Sequence, residues 1–324
     1  MSLHPVTNFL FRLSSKSKSF GASFLGLRLP VDGGELRIDR FNDTSISTTL
    51  PLPAWLCRPD GQLCLAGFLA MADEVSTFGM GAWDARHRPG VSVTLSGQRT
   101  SSKTIEAGEE ITFNAALIKG GHSLAWMHIE ALSGGELLAT GRHLKFQPAG
   151  LPPFFAAVSH PVIWPFTRSL AHAGLRAWAD RQPPAHMDLV PRPDAPRAEA
   201  LSMTEATPTD AGAAVYSLLA DGASPKSFVV ALQRHHGNPG ATLHGGCGTM
   251  LLEAAASASY CAERGVAAAP PVQRMHVSLP GALGVTKPRT AVVAAVVSST
   301  KPHAQAVLRC AAGKSTAVEA DVWW

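Results

Sequence analysis

Charge is scarce in this sequence. Asp, Glu, Lys and Arg make up 16% of its 324 residues and hydrophobic residues 46%, which excludes a globally disordered chain and leaves enough apolar surface for a sizeable core. Neither sign is clustered: the net charge is +4 and no basic stripe is present, so a nucleic-acid partner is not expected. The modest excess of positive charge suits an anionic small molecule. Cysteine is sparse, at Cys57, Cys64, Cys247, Cys261 and Cys310, with irregular spacing and no CxxC pair. That suggests neither a zinc site nor a disulfide framework, and it fits a reducing compartment, cytoplasm or mitochondrion. No apolar run reaches the roughly 18 residues of a membrane span. Two catalytic signatures are missing as well. No GxSxG elbow exists, and "GKST" at 313–316 lacks the glycine five residues earlier that a phosphate loop needs, since Leu308 stands there.

Acids are missing from the first 31 residues, where Arg12, Lys16, Lys18 and Arg28 lie among many serines. This is the composition of a transit peptide. It is equally that of an amphipathic first helix, with Val6, Phe9, Leu10 and Leu13 at helical spacing.

What is present is a repeat. "GQLCLAGFLAMADEV" from 61 and "ATLHGGCGTMLLEAA" from 241 share one layout: a helix start, small and apolar residues, and one isolated acidic position, Asp73 or Glu253. After each comes the rest of a helix and then strands with period-two apolar positions, such as Ile111, Phe113, Ala115 and Leu117. Turn signals fall at Gly120-Gly121 and Gly134-Gly135, the second inside a hairpin. One long period in two copies means duplicated domains. The expected organisation is a first domain over 1–148 with an N-terminal helix, a Pro-rich linker with a lead-in helix over 149–196, and a second domain over 197–324. The fold class is α+β.

"NPGATLHGG" with an acid nine residues beyond the histidine, together with "GVSVTLSGQ" and "ATGRHLKF", resembles the hotdog-fold acyl-CoA thioesterases of the phenylacetate-pathway and thioesterase-superfamily-member type. The resemblance spans most of 20–146 and 200–324. It implies two hotdog domains in tandem, each an antiparallel sheet around a long central helix, packed as a pseudo-dimer. It also implies thioester hydrolysis with no metal and no cofactor beyond the coenzyme A of the substrate, and a homodimer of the chain giving four hotdogs. Two other outcomes stay open: a non-catalytic acyl-CoA binding or scaffold protein, and a hotdog enoyl-CoA hydratase or dehydratase.

The helix geometry constrains the site. Nine residues are about 2.5 helical turns, so His244 and Glu253 point to opposite faces, with a rise of ~13.5 Å between them. Neither copy can complete a site alone, so the acid must come from the other copy. Gly245, at a helix N-terminus, offers a free N–H where an oxyanion would form. The first copy has Arg58, Cys64 and Leu65 in place of Asn238, His244 and Gly245, but keeps Asp73. One composite site is therefore expected: Asp73 as base or nucleophile, Gly245 as oxyanion donor, and His244 and Asn238 as positioners. The family's helper hydroxyl would be Ser92, replaced in the second copy by Gln273. Glu74, next to Asp73, and Glu253 are the alternative acids. Arg142, His143 and Lys145 are a candidate contact for the coenzyme A phosphates.

Overall fold

The computed structural model describes residues 20–23, 25, 35–53, 58, 62–84, 88, 90–106, 108–147, 203–205, 226–238, 242–312 and 315–324. The N-terminal segment 1–19 and the linker 149–196 with its lead-in helix lie outside the described residues.

Two long helices dominate. Helix α1 is a single short turn, Phe20–Ser23, while α2 spans Leu65–Trp83 and α3 spans Gly245–Arg264. Helix α2 is apolar around most of its circumference and is buried from Leu65 through Ser76, as a helix inside a sheet wrap should be. Phe68, fully buried, stacks on Phe113 at 6.4 Å and fixes α2 over the sheet; truncating such a side chain costs about 3–5 kcal/mol. Helix α3 stops at Gly265, which adopts a left-handed conformation with φ of 64° and follows Arg264 in the last turn. Among the described residues no helix is long and apolar enough to cross a membrane.

Strands β1 (Arg37–Phe41), β2 (Ser45–Pro51), β3 (Val91–Arg99), β4 (Glu110–Gly120), β5 (Leu124–Ser133) and β6 (Glu136–Phe146) accompany α2. Strands β7 (Thr204–Glu205), β8 (Lys226–Leu232), β9 (Arg274–Ser278), β10 (Arg289–Val297), β11 (His303–Cys310) and β12 (Thr316–Trp323) accompany α3. The hairpin between β5 and β6 turns on Gly134 and Gly135, both at positive φ, as a two-residue loop requires. In β4, Ile111, Phe113 and Ala115 are buried while Thr112 and Asn114 between them are not, so the period-two reading holds. Strand β10 is buried on both faces, which is what the uninterrupted run "AVVAAVV" suits.

All twelve strands form one sheet in the order β1-β2-β4-β5-β6-β3-β9-β12-β11-β10-β8-β7. The order is a palindrome: read from either end, it meets corresponding strands of the two copies. Its centre is the antiparallel pair β3 and β9, where Ser96 faces His276. The two helices share this antisymmetry. Asp73 in mid-α2 meets Gly246 at the start of α3, and Glu253 in mid-α3 meets Ala66 at the start of α2. The helices are therefore antiparallel. They approach closely because Gly246 has no side chain: a Cβ there would lie 2.6 Å from Ala70 Cα.

Candidate active site

Helix α2 delivers Asp73, Glu74, Ser76 and Thr77 to one buried cluster, and the first turn of α3 delivers His244, Gly245 and Gly246. Both oxygens of Asp73 are engaged. Ser92 Oγ, on β3, donates to Oδ1 at 2.6 Å, and the Gly246 N–H donates to Oδ2 at 3.2 Å. Lys145 Nζ lies 3.5 Å from Oδ1 and also donates to Thr77 Oγ1 at 2.7 Å and to Ser92 Oγ at 3.3 Å. His143 Nε2 is 3.6 Å from Oδ1, and its Nδ1 is 2.7 Å from Ser76 Oγ.

His244 is the N-cap of α3. Its Nδ1 accepts the Gly246 N–H at 3.0 Å and lies 3.6 Å from Asp73 Oδ2. On the other side of the ring, Nε2 is 2.8 Å from Glu74 Oε1. Among the described residues no hydrogen bond engages the Gly245 N–H. A Cβ on Gly245 would come within 2.9 Å of Asp73 Oδ2, so glycine keeps open the space in front of the carboxylate.

The charges are mutually dependent. Burial opposes ionisation of Asp73, whose residue is 3% exposed. Lys145, His244, His143 and the Ser92 hydroxyl outweigh that penalty and hold the carboxyl well below the usual carboxylate range. Burial and the nearby Lys145 push His143 down to about 3, so it stays neutral. Burial also lowers Lys145, against the pull of Asp73 and Glu74. For His244, burial acts downward, but Asp73 and Glu74 prevail and raise it. The cluster thus gathers two acidic side chains, a lysine and two histidines, with Asp73 held ionised and His143 held neutral.

The related position at the start of α2 differs. Glu253 Oε2 accepts the Ala66 N–H at 2.7 Å, and Cys64 Sγ donates to Oε1 at 3.5 Å. Leu65, 1% exposed, stands at the first position of its helix, where the other copy has Gly245. The Arg58 guanidinium donates to Ala269 O at 2.7 Å.

The structure brings Asp73, Glu74, Ser92, His244 and Gly245 together. The side chain of Asn238 bonds Thr242 through both the amide nitrogen, at 2.7 Å, and the amide oxygen, at 3.2 Å, two residues before His244. The counterpart of Ser92 is Val272 rather than Gln273. Val272 is buried and Gln273 exposed, so of the two it is Val272 that turns inward. The grouping of Arg142, His143 and Lys145 also needs correction. Alternate strand residues face opposite sides, so His143 and Lys145 point inward at Asp73 while Arg142 is exposed on the outer face. The inward face of β6 reads Ala139, Gly141, His143, Lys145, and that alternation is the available signal. Gly246 and Thr77 are site residues that the sequence analysis misses. The second glycine of His-Gly-Gly is the clue to the first, and nothing in the sequence marks the second.

The described residues define a class of fold and site: one twelve-stranded antiparallel sheet with two antiparallel helices, each of whose buried acids accepts a backbone N–H from the start of the other helix. No family model and no curated protein matches the sequence. Its structural neighbours are thioesterase-superfamily proteins. A candidate thioesterase from Novosphingobium aromaticivorans is 16% identical with a TM-score of 0.48, covering 88% of this chain and 97% of that one. Thioesterase superfamily member 2 from Mus musculus is 20% identical with a TM-score of 0.36, covering 45% and 98%. A point mutant of the phenylacetic acid degradation protein PaaI from Thermus thermophilus is 16% identical with a TM-score of 0.31, covering 35% and 94%.

Proposed function

We propose that the chain is a tandem double hotdog that hydrolyses acyl-CoA thioesters at one composite site between its halves. One observation carries this reading: Asp73 from the first half faces the start of α3 in the second half, where the Gly245 N–H is not engaged among the described residues. Thioester hydrolysis needs a donor where the carbonyl oxygen gains charge, and a base or nucleophile beside the carbonyl carbon. The helix N-terminus supplies the donor and its dipole favours the developing charge. Asp73, held ionised, either attacks the carbonyl or takes a proton from an attacking water. Ser92 orients the carboxylate through its 2.6 Å bond. Coenzyme A as the thiol carrier follows from the sequence resemblance.

The position around Glu253 is inactive in this reading, because Leu65 replaces Gly245 and Glu253 serves as a cap for α2. The test compares two variants in a spectrophotometric thiol-release assay over a panel of acyl-CoAs. Asp73→Asn should lower kcat by at least about 10²-fold, and Glu253→Gln should leave kcat near wild type. The opposite ranking would overturn the assignment.

A further inference from the structure

The space in front of Asp73 has a wall that belongs to neither helix. A Cβ on Gly245 would meet three atoms there: Asp73 Oδ2 at 2.9 Å, Leu279 Cδ2 at 2.9 Å and Ser92 Cβ at 3.6 Å. Asp73, His244 and Gly245 are buried, while Ser92 and Leu279 are half-buried, so the solvent side of this space lies along β3 and the residue that follows β9. Leu279 is that residue. Its backbone is held in place, because its N–H donates to Val93 O at 2.9 Å. Two residues on, a Cβ on Gly281 would lie 2.7 Å from Thr316 O, so the segment also runs close against the start of β12. The side chain is freer. It packs against the core from the edge and is partly open to solvent, and a leucine has two torsions with staggered alternatives.

The wall stands close to the carboxylate. Asp73 Oδ2 and Leu279 Cδ2 both lie 2.9 Å from one point, so twice that distance, 5.8 Å, is the most that can separate them. A carbonyl carbon ready for attack by Oδ2 lies about 3–3.5 Å from it, and further when a water stands between. A methyl group needs about 3.5–4.0 Å from that same carbon. Leu279 must therefore swing aside by about 1 Å to admit even a flat thioester between the two. One carbon on the α-carbon can lie in the plane of the thioester and follow it. Two cannot: at a tetrahedral centre at least one of them leaves the plane. It then stands either on the face that Asp73 attacks or on the opposite face, against Leu279.

We propose that Leu279 is a specificity-determining residue, which walls the face of the thioester opposite Asp73 and selects acyl-CoA substrates with an unbranched α-carbon. The inference rests on the thioesterase reading. Leu279 comes from the second half, as His244 and Gly245 do, and it closes over a carboxylate that comes from the first. No bond forms or breaks at Leu279. It acts through shape alone, so its effect belongs to the ratio between substrates rather than to the rate on any one of them. Ser92 bounds the same space from β3 at ordinary contact distance, 3.6 Å, and leaves the sorting to Leu279.

The experiment measures kcat/KM of the full chain on hexanoyl-CoA and two of its isomers, one with a methyl branch on the α-carbon and one with the branch at the far end of the acyl chain. Wild type should favour hexanoyl-CoA over the α-branched isomer by at least about tenfold, and Leu279→Ala should lower that ratio by about tenfold. Leu279→Met, of similar volume, should keep the ratio near wild type. The ratio of hexanoyl-CoA to the end-branched isomer should not move in either variant. An α-branched ratio that Leu279→Ala leaves unchanged, or an equal change in both ratios, would overturn the proposal. If Leu279→Ala fails to fold, Leu279→Val decides by the same ratios. If wild type hydrolyses none of the three esters, the thioesterase reading fails, and calorimetry decides the role of Leu279 separately. Its probes are two CoA ketones that match hexanoyl-CoA and the α-branched isomer, with a methylene between sulfur and carbonyl. A preference for the unbranched ketone that Leu279→Ala reduces keeps Leu279 as the selecting wall; no preference, or no binding, overturns it.

Discussion

At the scale of single residues, the position of a charge in the pleat of β6 decides its role. Lys145 reads in sequence as one of three basic or imidazole side chains near a strand end. The structure places it 3.5 Å from Asp73 Oδ1 with two hydroxyls on the same ammonium. Removing it by Lys145→Met leaves burial of Asp73 less opposed, so the Asp73 pKa should rise. In the proposed reaction the ionised carboxylate is the active form, so the acid limb of the kcat/KM profile should move to higher pH, as a pH-rate series would show. Stability follows the same sign. A carboxyl depressed on folding stabilises the native state above its unfolded pKa, and that contribution is lost as pH falls through the folded value. Asp73, Ser92, His244 and Gly245 can be located from the sequence because each sits at a fixed offset from a helix start or in a recognisable strand. Spacing does not reveal that the amide of Asn238 bonds Thr242, four residues on.

At the scale of elements, the site exists because two helices touch where one of them has no side chain. In sequence, the second glycine of His-Gly-Gly reads as turn chemistry. In the structure Gly246 brings α3 against Ala70 of α2 and gives its N–H to Asp73. Gly246→Ala should therefore do two things. Forcing a methyl against Ala70 overpacks the helix contact, an effect of about 1–3 kcal/mol, visible as a lower midpoint in urea. It should also lengthen the bond to Asp73 and reduce kcat more than KM. Helices, strands and the β5–β6 hairpin are legible because their periods and turn glycines are local properties. The register between β3 and β9 is not: it depends on which edges of two similar sheets meet. Nor does the sequence show that Val272 is buried and Gln273 exposed.

At the scale of the whole molecule, the palindromic sheet makes a definite statement about where one site ends and another begins. Strands β3 and β9 of the same chain pair at the centre, and α2 and α3 of the same chain exchange their acids. The antiparallel arrangement and the reciprocal loan of a carboxylate are deducible from the 2.5-turn offset between His244 and Glu253, because a helix cannot present both on one face. The deduction does not say whether the lender is the same chain or a second copy, and the expected homodimer makes both arrangements conceivable. Mixing two inactive full-length variants separates them. Asp73→Asn lacks the carboxylate and Gly245→Val blocks the donor, so each should be inactive alone. If the site forms within one chain, co-expression of the two gives only molecules that carry one defect in the same site, and hydrolysis stays at the level of the separate variants whatever the oligomeric state. If halves are exchanged between chains, some pairings would unite a sound Asp73 with a sound Gly245, and activity would return. The intrachain pairing of β3 with β9 leads to the first outcome, because exchange would require opening the middle of a continuous twelve-stranded sheet.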